Sequence, residues 1–214
     1  MKSFDINIDQ GSLVSLILIL LVFVPMLLCV AFMTIIERKA MGSMQRRIGP
    51  NVVGYYGVLQ PFADALKLVV KEQIIPAQSN KALFFLAPMI SLVFSLLGWA
   101  TIPFGSGMAI TDISLGMLFS LAVSSIGVYG ALFAGWAANS KYAFLGSLRS
   151  TAQMVSYELI FSTCVAAVIL LAGSLNFTTI VEAQTSIWFI VPLFPLFIMY
   201  LISALAELNR TPFD

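Results

Sequence analysis

The 214-residue chain has no histidine and only two cysteines, Cys29 and Cys164. Without histidine it can supply neither a His-ligated haem or zinc site nor a Ser-His-Asp triad or histidine proton relay. The cysteines are far apart in sequence, form no Cys-x-x-Cys pair, and are interpreted as packing residues. A glycine-rich dinucleotide fingerprint and a P-loop are also missing. We therefore predict no metal site here and expect any electron-carrying cofactor on a partner.

Charged residues are also scarce, at 10% of the chain against 60% hydrophobic residues. Soluble domains are about one quarter charged. Five apolar segments approach or exceed the ~20 residues that cross a bilayer as a helix. They are residues 12–36, 82–102, 114–136, 151–171 and 185–206. The sequence therefore predicts an all-α, polytopic membrane protein with five transmembrane helices in a single membrane domain, residues 1–214.

Positive charge is concentrated on one side of this predicted topology. The connection between the first two spans, residues 37–81, carries most of it. The connection between the third and fourth spans adds Lys141 and Arg149, and Arg210 follows the fifth span. The opposite side has Lys2 alone. Because lysine and arginine favour the side from which a membrane protein is inserted, the N-terminus is expected outside, with the basic loops facing the cytoplasm or the matrix.

A short amphipathic helix is predicted inside this basic connection. Gln60-Pro61 is typical of a helix start, and Asp64 would then complement the helix dipole in the first turn. Asp64, Lys67 and Lys71 share one stripe at 100° per residue, and Phe62 lies across from them. The helix is too short to span. It lies either in the membrane interface or against the protein's own bundle, and the sequence favours neither.

Glu158 is the first candidate for chemistry, because it lies well inside the apolar segment 151–171. A charge at membrane depth is costly, roughly 2.5–3.5 kcal/mol on insertion scales, and such residues often mark ion, proton or ligand pathways. Arg149 is nine residues away, roughly 13 Å along a helix, which is too far for direct contact. We expect a partner on another helix, or water, and favour a proton-handling role over a structural one.

Further charges cluster where spans meet the basic side. Glu37 and Arg38 follow the first span, and Glu37 conflicts with the dipole at a helix C-terminus unless an arginine pairs with it. Lys39 is interpreted as an anchor that reaches the lipid headgroups. Glu207 and Arg210 stand at i, i+3 after the fifth span, a spacing that allows a pair on one face. With Asp214 they form either an ordinary surface cap or the lining of a polar entrance.

Residues Gly127, Ala131 and Gly135 recur every four positions in the third span. Small residues at this spacing allow helix backbones to approach closely in lipid. We interpret the stripe as a packing surface.

Five sequence runs together resemble one family. They are ERK at 37–39, QRRIGPNVVG at 45–54, LQPFADALK at 59–67, AQMVSYE at 152–158 and AELNRTPFD at 206–214. They are similar to subunit 1 of respiratory NADH:ubiquinone oxidoreductase, complex I, and the match covers nearly the whole chain. The likeness is greatest to mitochondrially encoded members, and bacterial counterparts share the runs.

The resemblance implies a core membrane subunit that forms part of the ubiquinone channel and couples quinone reduction to proton translocation. Its implied quinone-channel residues are Glu37, Arg38, Arg46, Arg47 and Phe62. Its implied charge and proton relay consists of Glu158, Glu207, Asp214, Arg149 and Arg210. Ubiquinone is the expected substrate, whereas flavin, haem and iron–sulfur clusters are expected on other subunits.

The resemblance also implies partners and a location. Peripheral-arm quinone-module subunits, membrane-arm subunits and lipids are the expected partners, with no nucleic acid. The expected location is the mitochondrial inner membrane with the N-terminus towards the intermembrane space and the basic loops towards the matrix. A bacterial plasma membrane is the alternative.

In the family, further membrane helices follow the Pro-Phe-Asp motif, and this sequence stops at Asp214. We expect a split gene whose C-terminal helices form a second polypeptide, with a truncated sequence as the alternative. Two other functions remain open. One is the membrane anchor of a related hydrogenase, and the other is an ion-coupled secondary transporter, although no internal repeat is visible.

Overall fold

Long runs of Leu, Ile, Phe, Ala and Met give this chain its helices. The structure, a computed structural model, describes residues 12–105, 109–210 and 213. Within these ranges it contains seven α-helices and no strand. They are α1 (Ser12–Met44), α2 (Gln60–Val70), α3 (Lys81–Leu97), α4 (Gly116–Ala137), α5 (Lys141–Ala172), α6 (Phe177–Ala183) and α7 (Phe194–Glu207). The prediction of an all-helical protein is confirmed for the described residues.

Four helical stretches are long and apolar enough to cross a membrane. They are Ile19–Met44, Lys81–Thr101, Gly116–Ala137 and Lys141–Ala172. The predicted fifth span differs from the structure at its start, because α7 begins at Phe194 rather than at 185. Pro195 explains the late start, since proline lacks an N–H and suits the first turn of a helix. With 14 residues, α7 is roughly 21 Å long.

The chain divides into two compact units after Ile74. In the first unit, α1 continues to Met44, so Glu37, Arg38 and Lys39 lie inside the helix. The prediction that a loop begins at residue 37 is wrong. Glutamate, arginine, lysine and alanine are good helix formers. The charges of Glu37, Arg38 and Lys39 therefore do not end the helix.

The predicted amphipathic helix of the first unit is confirmed as α2, with Pro61 in its first turn. The loop before it turns tightly at Gly57, whose φ is 75°. A Cβ atom on Gly57 would lie 2.2 Å from the carbonyl oxygen of Pro50. Glycine is therefore required there by both the backbone conformation and the space.

In the second unit α3 packs on α4, α4 on α5, and α5 on α7. Helix α5 has 32 residues and begins at Lys141, well before the predicted start at 151. Arg149 lies before the predicted span and belongs to the same helix as Glu158, as the distance estimated along a helix assumed. Hydropathy locates the apolar part of such a helix, whereas its polar extension is encoded by helix propensity alone.

Glycines on α4 allow its two neighbours to approach closely. A Cβ atom on Gly135 would lie 2.0 Å from Ser147 Oγ on α5, which confirms that position of the predicted stripe. Gly127 has ordinary space, with Phe94 Cβ at 3.9 Å. The second close approach is instead at Gly130, where a Cβ would lie 2.0 Å from Ser91 Oγ on α3. Helix α4 thus uses different glycines for its two neighbours.

Candidate functional site

Glu158 lies half-buried on the side of α5 that packs against α4. Its carboxylate Oε1 accepts a hydrogen bond from Ser125 Oγ of α4. The expected partner on another helix is therefore present. Both residues line a groove of about 410 Å³ whose other walls are mostly apolar, including Leu118, Leu121 and Val155. The groove thus presents one acid and two hydroxyls, those of Ser125 and Ser162, within an apolar surface.

The neighbouring serine on α4 binds a second acid. Ser124 Oγ donates a hydrogen bond to Glu207 Oε1 at the end of α7, over 2.8 Å. Consecutive residues on a helix point about 100° apart, which lets two adjacent serines serve carboxyls from two different helices. The two acids, which are far apart in sequence, thus accept hydrogen bonds from adjacent serines of α4.

The end of α7 is fixed by another side of α5. Gln153 Nε2 donates to the carbonyl oxygens of Ala206, at 3.0 Å, and Phe213, at 3.1 Å. Asn209 Nδ2 donates to Ser150 Oγ at 2.8 Å. These bonds satisfy carbonyls at a helix end and hold Glu207 in place.

Three other predicted relay residues are more peripheral or outside the described region. Arg149 and Arg210 are both exposed, Arg149 on α5 and Arg210 beyond the end of α7. Asp214 lies outside the described residues. The structure therefore brings Glu158 and Glu207 together and places the two arginines on the surface.

The first unit holds a separate polar cluster between α1 and α2. Arg38 Nη1 forms an ion pair with Asp64 Oδ2 at 2.5 Å, and Gln60 Nε2 donates to Asp64 Oδ1 at 2.9 Å. The hydrogen bond from Arg38, followed by that from Gln60, holds the pKa of Asp64 below its ordinary value of 3.8. Arg38, which was predicted to line the quinone channel, thus links α1 to the amphipathic helix α2.

The remaining predicted quinone-channel residues of the first unit differ in their contacts and in their exposure. The Phe62 ring on α2 meets the Phe32 ring of α1 edge-to-face, with centroids 6.1 Å apart. Glu37 is half-buried in the last turns of α1. Arg46 and Arg47 are exposed just after α1, and Arg47 Nε donates to Gln45 Oε1 at 2.8 Å.

Lys39 also belongs to this region, although it was interpreted as a topological anchor from sequence. Its Nζ donates to the carbonyl oxygen of Tyr56 at 2.5 Å and lies 5.8 Å from the centroid of the Tyr56 ring. Tyr56 has a φ of 53°, a backbone conformation rarely adopted by residues other than glycine. Lys39 therefore stabilises the backbone conformation of the loop that precedes α2.

Among the described residues, no three His, Cys, Asp or Glu side chains converge in a way that would hold a metal ion. A family model described as NADH dehydrogenase matches residues 17–214. The chain belongs to this family.

Relatives within the NADH dehydrogenase family are similar over almost all of the chain. NADH-ubiquinone oxidoreductase chain 1 of Mycosarcoma maydis is 72% identical over 202 residues, which cover 94% of this chain and 61% of the relative. The protein of the same name from Podospora anserina is 60% identical over 94% of this chain and 55% of the relative. An NADH-quinone oxidoreductase subunit of Rhodospirillum centenum is 54% identical over 98% of this chain and 63% of the relative. The chain thus spans about three fifths of these relatives' length.

Sequence reasoning missed Ser124 and Ser125. Serines in membrane helices commonly bond to their own backbone, so a hydroxyl alone is no signal of a site. A Ser-Ser pair in a charge-free span could have been singled out as a donor for Glu158. The pairing of each serine with its acid depends on how α5 and the end of α7 are placed beside α4, which the sequence does not reveal.

Proposed function

We propose that this chain is a core membrane subunit of a proton-translocating NADH:ubiquinone oxidoreductase, in which it helps to couple quinone reduction to proton movement. The names of the relatives support the enzyme class. The observation that carries the coupling role is the pair of carboxyls, Glu158 and Glu207, each hydrogen-bonded to a serine of α4. Acids inside membrane helices favour proton or ion pathways over structural roles.

The proposed quinone-channel residues are Glu37, Arg38, Arg46, Arg47 and Phe62. The contacts between α1 and α2 support this role, because they combine the Arg38–Asp64 ion pair with the contact between the Phe32 and Phe62 rings. Such an arrangement can hold a polar quinone headgroup while the isoprenoid tail remains among apolar side chains. Ubiquinone is the proposed substrate.

The proposed charge relay consists of Glu158 and Glu207, with Asp214, Arg149 and Arg210 at the basic side. A reduced quinone changes the local charge, and carboxyls within electrostatic reach respond by taking up or releasing protons. The adjacent donors Ser124 and Ser125, which bind Glu207 and Glu158, support the inner part of this relay. The two arginines lie on the surface, where partner subunits can contact them.

We further propose a single membrane domain with five crossings, α7 being the fifth. The basic side faces the matrix in the mitochondrial inner membrane, or the cytoplasm in a bacterial membrane. Peripheral-arm and membrane-arm subunits and lipids are the proposed partners. Flavin and iron–sulfur clusters are assigned to those subunits, and NADH is oxidised there.

Purification of the native membrane assembly tests this function. We expect flavin-containing and iron–sulfur subunits to co-purify, with quinone reductase activity that rotenone-type inhibitors block. Nickel–iron subunits in their place would identify a hydrogenase, and the absence of both kinds of redox subunit would favour a transporter. Mass spectrometry of the same preparation gives the length of the polypeptide that contains these residues.

A further inference from the structure

Ser125 has two hydrogen-bond acceptors within reach of one hydroxyl. Its Oγ lies 3.0 Å from the carbonyl oxygen of Leu121, one turn earlier on α4, and also contacts Glu158 Oε1. A serine carries one hydroxyl hydrogen and can donate to one of these acceptors fully at a time. Rotation about the Cβ–Oγ bond moves the hydrogen between them while the oxygen remains in place.

The two donor positions match the two protonation states of Glu158. When the carboxyl is ionised it can only accept, so Ser125 donates to it. When the carboxyl is protonated, its own O–H can donate to Ser125 Oγ, and the serine then donates to Leu121. The hydroxyl of Ser125 thus has a hydrogen-bond acceptor, and Glu158 has a partner, in both states.

We propose that Ser125 is a positioning residue that holds Glu158 in both protonation states by exchanging its hydrogen-bond acceptor. Only the proton that enters or leaves Glu158 is transferred, and the serine retains its own. An unsatisfied polar group in hydrocarbon is costly, so this exchange removes a penalty from each protonation step. The relevance of the exchange to turnover rests on the proposed function, whereas the exchange itself does not.

Ser162 lines the same groove as Glu158, but its Oγ donates to the carbonyl oxygen of Leu159 at 3.0 Å. Few titratable groups lie on the neighbouring helices. Helix α4 carries no charged residue, and its one titratable side chain is Tyr129, which is exposed. The titratable groups on α6 and α7 are Glu182, Tyr200 and Glu207. Of these, Glu207 has its own donor, Ser124.

Two neighbouring serines on α4 provide comparisons. Within the described part of the chain, Ser124 Oγ donates to Glu207 and to no carbonyl of its own helix, so it lacks the second acceptor. Among the described residues, Ser120 Oγ donates only to the carbonyl oxygen of Met117, at 2.8 Å. Ser120 is therefore the matched control for removing a hydroxyl from α4 without affecting an acid.

The test is infrared difference spectroscopy of the intact membrane assembly across a pH series. The carbonyl band of protonated Glu158 is identified by its loss in E158Q. S125T and S125V have side chains of nearly the same shape, but only threonine retains the hydroxyl. S125A is a second variant without the hydroxyl and adds no bulk, and S120A is the control.

We expect S125T and S120A to retain the wild-type Glu158 band. In S125V and S125A the band should move to higher frequency, because the neutral acid loses its acceptor. Identical bands in S125T, S125V and S125A would overturn the proposal. So would a wild-type spectrum without any band that E158Q removes.

Failure of this inference is distinguishable from failure of the proposed function. If E158Q impairs proton translocation while the hydroxyl variants leave the band unchanged, the acceptor exchange is wrong and the relay stands. If the band responds to Ser125 while E158Q translocates protons normally, the exchange stands and the relay role of Glu158 is wrong.

Discussion

At the scale of single residues, each of the two acids is paired with a hydroxyl donor on another helix. Glu158 and Glu207 come from different helices, yet both accept from consecutive serines of α4. Glu158 was identifiable from sequence because a carboxyl in an apolar segment is rare. Its donor was not, since a serine that bonds across helices has the same sequence signature as one that bonds to its own turn.

Replacing the Glu158 carboxyl by an amide tests the relay directly. E158Q keeps the size of the side chain and a hydrogen-bond acceptor for Ser125, so the assembly should remain intact. It cannot take up or release a proton, and proton translocation coupled to NADH oxidation should fall by about an order of magnitude or more. The measurement is the initial rate of acidification in proteoliposomes. Wild-type pumping rate and stoichiometry in E158Q would refute the relay role.

Asp64 gives a pH dependence whose sign follows from its lowered pKa. Arg38 and Gln60 stabilise the ionised carboxylate, so the bond between α1 and α2 contributes above the ordinary carboxyl pKa of 3.8. It is lost as the pH falls from there through the lower pKa of the folded state. Protease or hydrogen-exchange protection of residues 60–70 should therefore decline in that acid range and decline less at high salt.

The matched variant for this prediction is D64N. It keeps the shape of the side chain and removes the charge, so protection of residues 60–70 should become independent of pH in the same range. An undiminished pH response in D64N would show that another group controls it.

At the scale of elements, glycine positions control how closely α4 approaches its neighbours. The periodicity predicted one stripe of small residues, and the structure uses Gly135 for α5 but Gly130 for α3. A span packed on two sides needs small residues on two faces, whereas a regular four-residue repeat reports a single face. The order of the helices in space, which the sequence does not give, decides which faces matter.

Enlarging Gly135 should separate α4 from α5. In G135L the new side chain would meet Ser147 Oγ and the carbonyl oxygen of Ala143, where a Cβ alone would lie 2.0 and 2.9 Å away. We expect a loss of about 1–3 kcal/mol of stability or failure to assemble. G127A is the control, since a Cβ there has an ordinary contact. Thermal unfolding of the purified assembly checks both, and equal stability of G135L and wild type would contradict this packing.

At the scale of the whole molecule, hydropathy predicted where the apolar layer lies and missed where the helices end. The first and fourth spans extend as helices beyond their apolar parts, to Met44 and back to Lys141. The fifth begins late because Pro195 opens it. Charged helix formers continue a helix outside lipid without any change that a hydropathy window detects. The pairing of Arg38 with Asp64 was likewise invisible, because it joins residues of two separate helices.

The crossing of α5 in the proposed topology can be tested by cysteine labelling. Ser140 precedes α5 on the basic side, Ser186 lies between α6 and α7, and both are exposed. In oriented membrane vesicles, a membrane-impermeant thiol reagent should modify S140C and S186C from opposite sides. The unsubstituted chain, with Cys29 and Cys164, gives the background. Labelling of both variants from the same side would refute the proposed topology.

Helix α5 is shared by two sets of contacts that lie on different sides of it. Gln153 holds the end of α7 on one side, while Glu158 meets Ser125 on the other. A rigid rod that turns about its axis moves both sides together. Any such rotation would therefore change the surroundings of Glu158 and the position of Glu207 together. The backbone of α5 thus couples the positions of the two carboxyls mechanically.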